Sequence, residues 1–199
     1  KCNKTSFRNY IVDYEKNLDN KNFFFKKDTY FKEKNNVCFL IGFPRSGTTL
    51  LDTILRSHPD IDVIEEKPII NSLERIIKTQ LKYKLSEIHK LTEPEVERLR
   101  KYYLENIFKL SDKKDSRIII DKFPFQTVSL PLINFIFPEA KIIFAHRHPY
   151  DTVLSCFQQC FEPNNAMANL RSLRESSEIY DLSMKMWVRY KENLNLNFT

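Results

Sequence analysis

Glycine is the scarcest informative residue in this chain. Two glycines occur in 199 residues, where ordinary usage would supply about 14. Both, Gly42 and Gly47, fall within a single short stretch. A chain that otherwise avoids the residue of greatest backbone freedom, then uses it twice in close succession, marks a loop whose geometry matters. Cysteine is also sparse: four residues spread over the chain exclude a disulfide scaffold. Long apolar runs are missing. The best of them, Ser129 to Phe137, is far short of the ~20 residues that cross a bilayer. No apolar h-region follows Lys1, so no signal peptide is visible. The chain begins without Met and ends in an Asn-Leu alternation from Asn193 to Thr199, and the expectation is a piece of a longer cytoplasmic protein, cut at both ends.

What is present describes a folded α/β protein. Hydrophobic residues make up 42% and charged residues 29%, which excludes a disordered tail, and the length suits one domain or slightly more. Lys plus Arg is 32 against 26 for Asp plus Glu, a net charge of +6 that favours an anionic partner. Many lysines alternate with acids on polar faces (Glu93 to Lys101), and no arginine-rich or aromatic-interleaved basic run occurs, so nucleic acid is not the expected partner.

Residues 1–36 are rich in Lys and Asn with scattered aromatics (Phe23, Phe24, Phe25, Tyr30, Phe31) and read as a linker or a partial helical element packing on a domain that spans 37–199. The run Val37 to Ile41 is apolar throughout, as in a strand buried on both faces. A glycine loop follows, then a helix carrying Leu50, Leu51, Ile54 and Leu55 that stops at His58-Pro59. Helices are predicted from Pro68 to Lys84, from Glu93 to Leu110 with a Thr92/Glu95 capping box, from Val128 to Phe137, from Pro149 to Phe161 and from Arg171 to Lys191, the last carrying Trp187 and Tyr190 on its core face. Arg117 to Asp121 and Lys141 to Ala145 read as further strands, and the stretch from Asn193 as the start of another. Strands alternating with helices imply a parallel sheet.

Strand, glycine loop and helix together make a cradle for a phosphate-like anion, because backbone N–H groups converge at the helix N-terminus. Gly42 and Gly47 have the spacing of a Walker A loop, with Ser46, Thr48 and Thr49 as hydroxyl donors. Thr48 stands where Walker A has its lysine, and the cation lies inside the loop at Arg45. A second anion site is suggested where the Lys141 strand ends: Arg147 precedes a helix opened by Pro149, and Ser155 falls one to two turns into that helix. Ligands of open α/β sheets bind at such carboxyl ends. Two anion sites suit a nucleotide phosphorylated at two positions of its ribose.

These residues resemble those of the sulfotransferases that use 3′-phosphoadenosine 5′-phosphosulfate (PAPS). Phe43-Pro44-Arg45-Ser46-Gly47-Thr48-Thr49-Leu50 is similar to that family's 5′-phosphosulfate loop, and Arg147 with Ser155 to its 3′-phosphate pair. Three further stretches carry the likeness: Ser57-His58-Pro59 with Glu65-Glu66, Asp121 to Phe125, and Asp151 to Phe157. Within the family it runs to the tyrosylprotein sulfotransferases and to bacterial members with tetratricopeptide repeats. The resemblance implies a P-loop-like parallel sheet in a three-layer sandwich, shortened at the C-terminus. It implies Glu66 as general base and Arg45 and Lys122 as the cations on the phosphosulfate. It further implies that Pro44, Arg45, Ser46, Gly47, Thr48, Thr49, Arg147 and Ser155 bind the nucleotide, with PAP (3′,5′-adenosine bisphosphate) as product, no metal, and a hydroxyl or amine acceptor.

Alternatives stay open at this point. Glu65 competes with Glu66. Asp121, after three isoleucines, mimics a Walker B aspartate and keeps a P-loop kinase or NTPase in play; a non-catalytic nucleotide-binding remnant is the third possibility. His146 and His148 flank Arg147 but lack a third metal ligand. Cys156 and Cys160 read as apolar fillers.

Overall fold

A computed structural model describes residues 2–19, 36–113, 117–194 and 196–199. The apolar stretch at Val37 forms the central strand, β1 (Val37–Gly42), buried along its whole length. Around it lie β2 (Ile61–Glu65), β3 (Ile118–Lys122), β4 (Lys141–Ala145) and β5 (Asn197–Phe198), in the spatial order β2-β3-β1-β4-β5. Every pairing is parallel. The chain leaves β1 toward β2 on one side and returns through β3 to place β4 on the other. The direction of winding therefore reverses between β1 and β4, the position where open α/β sheets bind ligands.

Alternate residues of β1 feed two cores, as the two-residue period of a strand requires. Val37, Phe39 and Ile41 join the larger cluster, beneath α1 (Lys4–Glu15), α3 (Ile69–Thr79), α4 (Glu93–Leu110), α5 (Leu130–Ile136) and α7 (Leu173–Asn193). Cys38 and Leu40 join Val63 and Ile120 under Leu51 and Leu55 of α2 (Thr48–Arg56). Helices on both faces of a parallel sheet make an α/β three-layer sandwich. The remaining helix, α6 (Pro149–Gln158), follows β4 and packs beside α7.

Several elements match their sequence signals. Glu95 accepts from the Thr92 backbone N–H at 2.8 Å and caps α4. Trp187 stacks on Phe144 with centroids 3.9 Å apart, and the buried Tyr190 hydroxyl donates to the Val128 carbonyl at 3.0 Å. Other expectations need correction. The helix predicted over Pro68 to Lys84 stops at Thr79, before Lys82 adopts a φ of 63°, and Leu85–Lys90 is a separate 3-10 turn. α6 ends at Gln158 rather than Phe161. Leu50 and Ile54 of α2 are exposed, and the helix buries its other side. β2 has no counterpart in the sequence reading, because Asp62 interrupts its apolar run. That carboxylate is buried, accepting from the Ser111 hydroxyl at 2.7 Å and the Asp112 N–H at 3.0 Å, so hydrogen bonding satisfies a group whose presence argued against a buried strand.

The N-terminal segment contributes α1, which buries Phe7, Ile11 and Tyr14 in the main core. Arg8 pairs with Glu178 at 2.9 Å, and Lys4 pairs with Glu175, tying α1 to α7. The aromatics from Phe23 to Phe31 lie outside the described residues. Among the described residues no helix is long and apolar enough to cross a membrane.

Candidate active site

The loop after β1 is built by close approach. A Cβ on Gly42 would stand 2.6 Å from the Ala145 carbonyl of β4, so a side chain there would wedge the two strands apart. The Thr127 hydroxyl donates to the Gly42 carbonyl at 2.8 Å and braces the loop from beneath. Gly47 differs: a Cβ would meet nothing within 4 Å, but its φ of 104° is one that L side chains rarely adopt. Arg45 (φ 67°) and Glu66 (φ 49°) share this left-handed region without being glycine, and such strained residues cluster at functional sites. Gly47 caps α2, whose first turn leaves backbone N–H groups without helical acceptors. The Ser46 hydroxyl is buried and has no partner among the described residues.

These groups open onto one cavity of about 570 Å³. Pro44, Arg45, Ser46, Gly47, Thr48 and Thr49 line one wall, and Glu66 and Arg147 line others. Arg45 and Arg147 thus face the same space from the ends of β1 and β4. Glu66, at the turn after β2, belongs to the lining and its neighbour Glu65 does not. The residues expected to form two anion sites therefore line one cavity at the reversal point of the sheet.

Two expected residues sit differently. Lys122 is not among the lining residues. Its side chain is 1% exposed, and Nζ donates to Glu65 Oε1 at 2.7 Å and Glu66 Oε1 at 3.1 Å. Burial opposes its charge, but the two carboxylates outweigh that and raise the lysine above its ordinary value. The Lys122 hydrogen bond, against the opposing effect of burial, holds Glu65 below the usual carboxylate range. Ser155, read as the partner of Arg147, instead accepts from Arg45 Nε at 3.1 Å. Arg147 approaches Asp151 at 3.7 Å. The pairing differs because Ser155 lies on the turn of α6 that faces the loop, where the neighbouring Cys156 thiol donates to the Pro44 carbonyl at 3.2 Å.

Asp121 belongs to the opposite face. Its carboxylate is fully buried and accepts from the Tyr103 hydroxyl of α4 at 2.7 Å. Burial pushes it up to about 7, and it does not line the cavity. A Walker B aspartate must reach the nucleotide's metal, and this one points into the core. Cys156 is buried and Cys160 exposed, so only the first is a filler. Leu50, Phe123, Pro124, Phe125, His146, Phe161 and Met167 complete the cavity wall. The aromatics of the Asp121 to Phe125 stretch were visible in the sequence, whereas Thr127, Phe161 and Met167 carry no sequence signal.

A family model described as the sulfotransferase family matches residues 38–197. A protein of Aquifex aeolicus is 37% identical over 130 residues, which cover 62% of this chain and 17% of that protein. Human protein-tyrosine sulfotransferase 1 is 30% identical over 133 residues, covering 64% of this chain and 34% of the enzyme. The crystal structure of a sulfotransferase from Mycobacterium avium covers 96% of this chain and 62% of its own, at 15% identity and a TM-score of 0.48. The chain thus spans well under half the length of these sequence relatives. With the family match running from β1 to β5, the chain belongs to the sulfotransferase family.

Proposed function

We propose that this chain carries the nucleotide site of a sulfotransferase that moves a sulfuryl group from PAPS to a hydroxyl or amine acceptor. The observation that carries the proposal is the shared cavity: two guanidinium-bearing residues, Arg45 and Arg147, and one carboxylate, Glu66, line a single space at the ends of β1 and β4. A nucleotide with phosphates at both ends of its ribose needs two cationic grips, and a triphosphate tail needs only one. The donor set fits the group. Backbone N–H groups of the Gly47–Leu50 turn, the unpartnered Ser46 hydroxyl and Arg45 suit the 5′-phosphosulfate, and Arg147 suits the 3′-phosphate. Ser155, outside the cavity lining, holds Arg45 by its hydrogen bond.

The transfer is an in-line displacement. The acceptor oxygen or nitrogen forms a bond to sulfur as the bond from sulfur to the bridging oxygen breaks, and PAP departs with that electron pair. The acceptor's proton passes to the Glu66 carboxylate. Negative charge grows on the bridging oxygen, so fixed cations supply the main stabilisation. Arg45 meets that charge directly. Lys122, held behind Glu66, fixes the carboxylate's direction and brings a buried positive charge close to the reacting centre. No step calls for a metal ion.

Transfer of radiolabelled sulfate from PAPS to a panel of peptides, glycosides and small alcohols tests the proposal. Glu66→Ala should abolish transfer and leave PAP affinity within about threefold, whereas Glu65→Ala should retain most turnover. Retention by Glu66→Ala would reassign the base, and PAP binding without any transfer would favour a non-catalytic nucleotide binder.

A further inference from the structure

A second cavity of about 430 Å³ adjoins the first, and Phe123, Phe125 and Met167 line both. Its outer wall comes from α1, α3 and the 164–167 turn. Its size is that of a small-molecule site, and its chemistry differs from its neighbour's. Arg45, Arg147 and His146 line the nucleotide cavity, but among the described residues no Lys, Arg or His lines this one. Glu74 is its single carboxylate among the described residues. The side chain is buried, and Oε1 accepts from the hydroxyls of Tyr10 at 2.6 Å, Tyr14 at 2.7 Å and Ser129 at 3.0 Å. Burial raises Glu74 above the ordinary carboxylate value despite those bonds.

The remaining polar groups are neutral. Asn164 and Asn165 commit their carbonyl oxygens to the backbone N–H groups of Met167 at 2.9 Å and Asn3 at 2.8 Å. Their NH₂ groups remain as donors. Asn71 adds a complete amide from α3, and Phe7 and Phe123 supply aromatic faces.

We propose that this cavity binds the acceptor, and that the acceptor is an uncharged glycoside presenting a hydroxyl toward Glu66 past Phe123 and Phe125. The assignment rests on the sulfotransferase reading above for the identity of the neighbouring site. An anionic acceptor would bring its charge to a cavity where no described residue offers a cation, which costs affinity through desolvation. Sugar hydroxyls both donate and accept, matching the amide donors of Asn164 and Asn165 and the complete amide of Asn71, and the apolar face of a pyranose ring suits an aromatic wall. Sites built to hydrogen-bond hydroxyls reject analogues that lack them. The N-terminal helix then has a function beyond packing, since Ser6, Phe7 and Tyr10 form part of the acceptor wall.

Saturation-transfer NMR on the full chain with PAP present tests this, using cellobiose and methyl β-galactoside against N-acetyltyrosinamide, tyramine and glucuronate. The glycosides should show saturation, and Asn71→Leu, an exposed position, should weaken them about tenfold, the scale of one lost hydrogen bond. PAP affinity should stay within twofold. Saturation of the phenol, amine or anionic probe with silent glycosides overturns the assignment, as does glycoside binding indifferent to both Asn71→Leu and Asn164→Leu. If PAP fails to bind while glycosides bind in an Asn71-dependent way, the cavity assignment stands and the nucleotide reading fails. PAP binding with silent glycosides has the reverse meaning.

Discussion

Replacing Asp121 by Asn should stabilise this protein at alkaline pH and leave nucleotide binding intact. The carboxyl is buried under α4, accepts a hydrogen bond from Tyr103, and has the Gln126 amide beside it, both opposing the effect of burial. Burial raises it from 3.8 to about 7. The folded state therefore holds this proton more tightly than the unfolded chain, and linkage gives the sign: stability falls as pH rises from about 4 to about 7, then levels off. At 1.36 kcal/mol per pH unit, that interval corresponds to about 4 kcal/mol at full ionisation. Asn keeps the shape and an oxygen for Tyr103 while removing the charge. Urea unfolding of wild type and Asp121→Asn should give similar stabilities near pH 4 and a gap of a few kcal/mol favouring the variant at pH 8. PAP affinity should not change. A variant less stable than wild type at pH 8, or one that loses nucleotide binding, would refute the reasoning, and the second outcome would restore a Walker B role.

The two glycines should fail for different reasons. At Gly47 the cost lies in φ, so Ala and Ser should each cost about 1–3 kcal/mol and match one another. At Gly42 the Ala145 carbonyl 2.6 Å from any Cβ adds a steric clash, so Ala there should cost clearly more than Ala at Gly47; equal costs at the two positions would contradict the packing. Thiol alkylation at pH 8 should modify the exposed Cys2 and Cys160. Cys38 and Cys156, pushed up by burial to about 11 and about 12, should react only after unfolding, and intact mass spectrometry counts the adducts.

Much of the architecture was legible where one residue type served one purpose. Val37 to Ile41 is buried on both faces and looks it, and Thr92 with Glu95 caps α4 as their spacing implies. The loop after β1 stood out because glycine is absent elsewhere. β2 was hidden by Asp62, whose burial depends on Ser111 and the N–H groups of the turn after α4, some fifty residues away. The same limit applies within the site. The Lys-Phe-Pro-Phe stretch marked Lys122, but nothing local told that its ammonium would lie between Glu65 and Glu66. Ser155 was placed on the correct helix, yet its hydrogen bond to Arg45 depends on how α6 lies against the loop. Polar groups satisfied by distant partners are invisible to periodicity, and Glu74, held by Tyr10, Tyr14 and Ser129, is another of them.

Isothermal titration of PAP into the metal-free chain, repeated with Arg147→Ala and with ATP in the presence and absence of magnesium, bears most directly on the two-cation cavity. Tight PAP binding without metal, weakened at least tenfold by Arg147→Ala and stronger than ATP under either condition, is the expected result. Magnesium-dependent ATP binding that surpasses PAP, or PAP binding indifferent to Arg147, would contradict it.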